Sequence, residues 1–267
     1  MIDTVVSVKL PIGEMLRIKR NRLMPDVVTG EEKRICLVSG IYGDELGGQY
    51  ICGEIIRRVK AEFENLTGIV DVYPAVNPLG LDARTRAEPI SDIDNSTANN
   101  DYYVTLLHLS IFMNTDLVWI HPSQTVNEGS LAFTLNQMGI PTMVTESGAA
   151  FRIRYEYCRQ IIDGIFSVMA ELGIWKGKVQ GKTKVPFIHE HQIFYLNCES
   201  SGLFVSYKRL KDPVKKGEII GIVQNPLMGA TEEEVVAPTD GILMTLREHP
   251  SVTEGSLVAR VIGGNAL

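Results

Sequence analysis

The side chains in this chain that are suited to chemistry fall mostly at the ends of apolar runs. Five histidines stand among 267 residues: His108, His121, His189, His191 and His249. A metal centre built on imidazole would therefore have few ligands to draw on. Glu45 closes Gly40-Ile41-Tyr42-Gly43-Asp44-Glu45, directly after the apolar run 34–39. Asn77, Arg84 and Arg86 follow the run 69–75, and His121 ends the run 116–120. Glu146 sits in Thr145-Glu146-Ser147-Gly148, after an apolar stretch in which an unpaired carboxylate would be costly. Each also has a plainer reading. Glu45 suits the first turn of a helix, His121 suits a structural hydrogen bond at a strand end, and Arg86 lies among other charges, Arg84 and Glu88. His189 and His191 would share one face of a strand, where the pair could chelate a metal or simply line a polar surface.

The elements that must hold these residues follow from hydrophobic spacing. Residues 1–23 alternate in places (Val6, Val8, Leu10, then Leu16, Ile18), which predicts two strands joined near Pro11-Ile12-Gly13. Residues 34–39 predict a buried strand, with Cys36 inside it as a small hydrophobe. Residues 45–65 place Leu46, Ile51, Ile55, Ile56, Val59 and Phe63 at helical spacing. Further strands are predicted at 69–75, 116–120 and 142–145, and helices at 101–112, 130–138 and 154–172. Strands alternating with helices indicate the α/β class, with a doubly wound, mostly parallel sheet. Ligands bind such sheets at the carboxyl ends of the strands, which here are 40–45, 77–86, 121–124 and 146–148.

The pattern changes after Trp175. A polar, glycine-bearing stretch at 177–182 reads as a linker, and short β-rich runs follow at 192–196, 202–206, 219–223, 234–237, 241–246 and 257–261. The expected division is an α/β domain over 1–178 and a smaller all-β domain over 179–267.

Composition narrows the classes further. A net charge of -6 argues against a nucleic-acid partner, which would want a basic face. The four cysteines form no CxxC pair, so neither a disulfide framework nor a cysteine zinc site is expected. The most apolar window, 104–120, is interrupted by His108, Asn114 and Asp116 and is too short and polar to span a bilayer. With no basic region leading into an apolar one at the N-terminus, a cytoplasmic protein without a membrane partner is expected.

Taken in order, the strand-end segments resemble the succinylglutamate desuccinylase/aspartoacylase family of zinc carboxypeptidase-like hydrolases. The resemblance rests on 40–45, on Pro74-Ala75-Val76-Asn77-Pro78-Leu79-Gly80 with Thr85-Arg86, on 116–121, and on Gly139-Ile140-Pro141 with 145–148. In the tail, 235–241 and Val252-Thr253-Glu254-Gly255 resemble the family's C-terminal β domain. The resemblance implies one zinc ion held by a His and Glu of Gly-x-His-Gly-Asp-Glu and by a later His, with a position left open for water. Glu45 matches the Glu and His121 the later His. Glu146 matches the general base and acid, and Arg86 the arginine that polarises the scissile carbonyl. The first His is Tyr42 here, a neutral phenol with a pKa of about 10 and a poor zinc ligand, so the implied site is weakened or rebuilt. The family's Asp-Leu-Asn-Arg is replaced by Asp92-Ile93-Asp94-Asn95, which removes the pair that would hold a substrate carboxylate. Tyr42, Asn77, Arg84, Asp94 and Asn95 are thus the expected substrate-facing residues. The implied activity is metal-dependent hydrolysis of the amide of a small N-acyl amino acid or a related small molecule. The alternative is a non-catalytic member that binds a ligand or partner without metal. A homo-oligomer is compatible with either, although no segment supplies an interface.

Overall fold

The computed structural model describes residues 1–86, 103–120 and 130–264. The chain divides into two compact units, one of Met1–Asp116 and Pro122–Val185, the other of Leu117–His121 and Pro186–Leu267.

The first unit opens with the predicted hairpin, β1 (Ile2–Lys9) and β2 (Met15–Leu23), paired antiparallel. Next come β3 (Arg34–Val38), α1 (Gly47–Ala61), β4 (Ile69–Tyr73) and α2 (Pro78–Ala83). Apolar residues at spacings of four carry α1 onto the sheet: Ile51, Ile55 and Val59 are all buried. After α3 (Tyr103–Ser110) come β5 (Val118–Ile120), α4 (Leu131–Gln137) and the long α5 (Tyr155–Glu171). α5 buries Ile161, Ile162, Ile165, Phe166, Val168 and Met169, and Phe166 meets Trp175 edge to face at 4.9 Å. β4 lies within the sheet, and its Asp71 is almost wholly buried. The charge is held by a two-bond grip from Arg22 at 2.7 and 2.8 Å, with Arg20 and Arg34 at 3.6 and 3.8 Å.

Three expectations about this unit need correcting. The described strands run β1-β2-β4-β3, and only the β3–β4 pair is parallel, so the sheet is mixed rather than doubly wound and mostly parallel. The hairpin supplies the antiparallel half of that sheet. Residues 142–145 form no strand. The buried amide of Asn136 donates to the Thr142 carbonyl at 3.1 Å and accepts from its N–H at 3.0 Å, taking the backbone groups a ladder would use. β3 is not a buried strand either: it ends the described sheet order, its burial alternates, and Cys36 faces solvent.

β5 belongs to the second unit, where it pairs in parallel with β6 (Phe187–His189). Trp119 explains the pairing. It packs with Ile188, Ile193 and Ile262, and its indole N–H donates to Glu190 at 3.1 Å. Beyond β6 the unit is all β. The strands β7 (Ile193–Asn197), β8 (Gly202–Ser206), β9 (Pro213–Val214), β10 (Ile219–Gln224), β11 (Thr231–Val236), β12 (Gly241–Leu246), β13 (Ser251–Val252) and β14 (Leu257–Gly263) form two antiparallel four-stranded sheets. Their orders are β11-β10-β8-β13 and β7-β14-β12-β9. Ile220, Val223, Leu243 and Val261 are fully buried in the core of this unit. No helix among the described residues is long and apolar enough to cross a membrane.

Candidate active site

The loop after β3 decides where Tyr42 and Glu45 go. It runs hard against the chain that follows β4: the Val76 N–H donates to Ser39 at 3.1 Å, and the Asn77 N–H to Gly40 at 2.8 Å. Gly40 has φ +66°, and a Cβ there would stand 2.8 Å from the Ala75 Cα, so only glycine fits. Asn77 is the clamp of this junction. Its side-chain oxygen caps α2 by accepting from the Gly80 N–H at 2.8 Å, while its amide donates to the Ile41 carbonyl at 3.1 Å. Both ends of the side chain thus hold backbone.

A second junction delivers Arg86. The Gly43 N–H donates to the Thr85 carbonyl at 3.1 Å, and a Cβ on Gly43 would lie 2.0 Å from the Gly80 carbonyl group. Thr85 is thereby pinned beside Gly43, and the next residue along, Arg86, reaches Glu45. Its Nη1 donates to Glu45 Oε1 at 2.9 Å, and its guanidinium carbon stands 3.8 Å from the centre of the Tyr42 ring. The same Nη1 lies 4.0 Å from Asp44 Oδ1. Asp44 is only 7% exposed, and that oxygen is buried without a hydrogen-bond partner among the described residues. Partial burial opposes the Arg86 charge, yet the Glu45 hydrogen bond and the Glu45 and Asp44 charges outweigh it. Its pKa is therefore held above the ordinary arginine value. Even so, 57% of the Arg86 side chain and 44% of that of Glu45 remain exposed, so the cluster faces solvent.

Tyr42, Glu45 and Arg86 are therefore brought together, and Asn77 holds the turn that carries two of them. Arg84 is exposed at the end of α2 in a left-handed conformation, φ 56°. Glu146 is exposed in the irregular segment between α4 and α5. That segment meets the cluster where the Phe151 N–H donates to the Asp44 carbonyl at 2.7 Å, with Phe151 at φ 58°. His121, Asp94 and Asn95 lie outside the described residues. Asp44 was missed as a site residue. Its signal was available, since it is the acid immediately before Glu45 in the turn, but its burial came only with the fold.

Half the His108 side chain is exposed, and it pairs with Glu171 at 2.6 Å. β6 ends at His189 and a single 3-10 turn follows, so His189 and His191 do not share a strand face. The His189 ring accepts from the Gln192 N–H, and the two rings stack at 5.8 Å. No group of three His, Cys, Asp or Glu side chains able to hold a metal ion occurs among the described residues.

The donor chemistry at Tyr42 and Glu45 does not fit zinc. The phenol is a poor ligand at neutral pH and its ring carries a guanidinium. The Glu45 carboxylate is already paired. A second cation on that carboxylate would stand within a few ångströms of Arg86, where two unit charges 4 Å apart repel by about 4 kcal/mol near a protein surface.

No protein-family model matches the sequence, and no curated protein matches it in sequence. Solved structures do match in shape. A succinylglutamate desuccinylase/aspartoacylase from Rhodobacter sphaeroides is 18% identical with a TM-score of 0.79, over 98% of this chain and 95% of that one. The product-bound ectoine utilization protein EutE (DoeB) from Ruegeria pomeroyi is 16% identical with a TM-score of 0.80, over 98% and 99%. An aspartoacylase family protein from Mesorhizobium loti is 16% identical with a TM-score of 0.78, over 99% and 95%. At these identities the likeness speaks for shape, and the chain has the fold of the succinylglutamate desuccinylase/aspartoacylase structures.

Proposed function

We propose that the chain is a hydrolase of the deacylase type, cleaving the amide of a small N-acyl amino acid or a related small molecule. The observation that carries this reading is the Arg86 guanidinium, fixed by backbone contacts at the strand ends with Glu45 and Tyr42 holding it and more than half its surface open. It does so on a fold shared end to end with structures named desuccinylase and aspartoacylase.

Arg86 is assigned the scissile carbonyl. A planar guanidinium polarises that oxygen and holds the negative charge that develops on it as water adds. Glu45 and Tyr42 orient the guanidinium, so fewer of its rotamers must be lost when substrate arrives. Glu146 is the general base that deprotonates water and then returns the proton to the leaving amine. Arg84, Asp94 and Asn95 are proposed to face the substrate. His121 and one zinc ion are what the resemblance implies. Zinc would supply Lewis-acid activation of water, but the described donors do not suit it and no step is assigned to it.

The test is release of free amine from a panel of N-acyl amino acids. The wild type is expected to hydrolyse at least one member, and Glu146→Gln to lose about 10²- to 10⁴-fold in kcat. A panel on which the folded wild type releases nothing contradicts the proposal.

A further inference from the structure

We infer that the Arg86 guanidinium is the resident cation of this site, standing where the family resemblance places zinc, and that the chain takes no zinc at Tyr42 and Glu45. The inference goes beyond the deacylase reading and does not depend on it, because metal binding is measured on the resting protein.

Three contacts converge on one side chain: the 2.9 Å hydrogen bond to Glu45, the 3.8 Å stacking on Tyr42 and the 4.0 Å approach to Asp44. The pairing is built into the backbone rather than adopted by a wandering surface arginine. The Gly43–Thr85 hydrogen bond fixes which residue lies opposite Glu45, and the close passage of Gly43 against Gly80 leaves that register no slack. Asp44 strengthens the argument. A buried carboxylate oxygen with no hydrogen-bond partner among the described residues needs a positive neighbour, and the same guanidinium nitrogen stands 4.0 Å from it. The Tyr42 change fits this arrangement. An imidazole at that position would compete for a metal, whereas an aromatic face supports a planar cation. The imidazole ligand is thus replaced by an aromatic face against Arg86, the arginine that the family resemblance already places at this site.

The experiment equilibrates the full chain with zinc chloride, dialyses it and measures metal by elemental analysis. A competition titration against a chromogenic chelator then gives the dissociation constant. The wild type is expected to retain less than about one zinc per ten chains at this site. Any zinc held elsewhere is recognised because Glu45→Gln does not release it. The double variant Tyr42→His/Arg86→Ala is expected to bind zinc at least about tenfold more tightly than wild type. Tyr42→His alone, with the guanidinium retained, is expected to stay close to wild type. Near-stoichiometric zinc in the wild type that Glu45→Gln removes overturns the inference. So does a Tyr42→His variant that binds as tightly as the double one. If circular dichroism shows the double variant unfolded, the wild-type and Glu45→Gln pair still decides. A wild type without hydrolytic activity would defeat the deacylase proposal and leave this result standing.

Discussion

Arg86 and Glu45 stand 41 positions apart in sequence, and what joins them is a glycine. Because Gly43 carries no side chain, its backbone can lie on Gly80 and bond Thr85, and the next residue then meets the carboxylate. Each half of this pair was legible separately, Glu45 as the last residue of a strand-end motif and Arg86 as the arginine after Thr85. Their contact was not, since a loop's approach to another loop leaves no periodic trace. The cysteines teach the same lesson. Apolar neighbours made Cys36 read as buried, yet it faces solvent, while Cys52, Cys158 and Cys198 are buried. Burial pushes the Cys52 thiol up to about 12, which withholds the reactive thiolate at neutral pH. Partial burial and the Asp71 charge raise the Cys36 thiol as well, so its exposure is what sets it apart. Titration of the native protein with an aromatic disulfide is expected to show one thiol faster than the other three, lost in Cys36→Ser. A fast phase that survives Cys36→Ser would contradict the assignment.

The elements differ in how much of them the sequence carried. α1 and α5 were readable because each buries one face against its neighbours, and a buried face has a period. The hairpin was read from alternation, although β1 is exposed at every residue but Asp3. The partner of β5 and the irregular 142–145 segment were not readable. Both depend on a single side-chain contact that leaves no period, Trp119 packing against Ile188 of β6 and Asn136 capturing Thr142. The β4 strand shows what an element asks of its surroundings. Asp71 sits at the centre of a strand whose other members are apolar, and its charge is tolerable only because Arg22 grips it with two short bonds. Removing one partner leaves the other buried and unsatisfied. Asp71→Asn is therefore expected to destabilise the first unit by about 3–5 kcal/mol, read as a lower midpoint in urea unfolding followed at Trp175. A change below about 1 kcal/mol would show that the arginines are satisfied by water instead.

At the scale of the whole molecule, each unit has its own hydrophobic core. One is centred on Ile55, Val59, Val70, Phe166 and Trp175, the other on Ile220, Val223, Leu243 and Val261. One tryptophan reports on each, Trp175 in the first unit and Trp119 in the second. Leu243→Ala empties a fully buried position and is expected to cost about 2–5 kcal/mol, measured through Trp119 in a Trp175→Phe background. An unchanged midpoint would mean that the site collapses around the smaller side chain. The fold persists at 16–18% identity over 98–99% of the chain, because burial patterns tolerate substitution where volume and polarity are kept. Chemistry is less tolerant, and so the account rests on one side chain. Its most direct test is steady-state amide hydrolysis by wild type and Arg86→Ala on the best substrate of the N-acyl amino acid panel, with and without a zinc chelator. The account predicts wild-type turnover that the chelator leaves unchanged, and a loss of about 10²- to 10³-fold in kcat for the folded variant. Turnover that vanishes with the chelator, or that Arg86→Ala leaves intact, would contradict it.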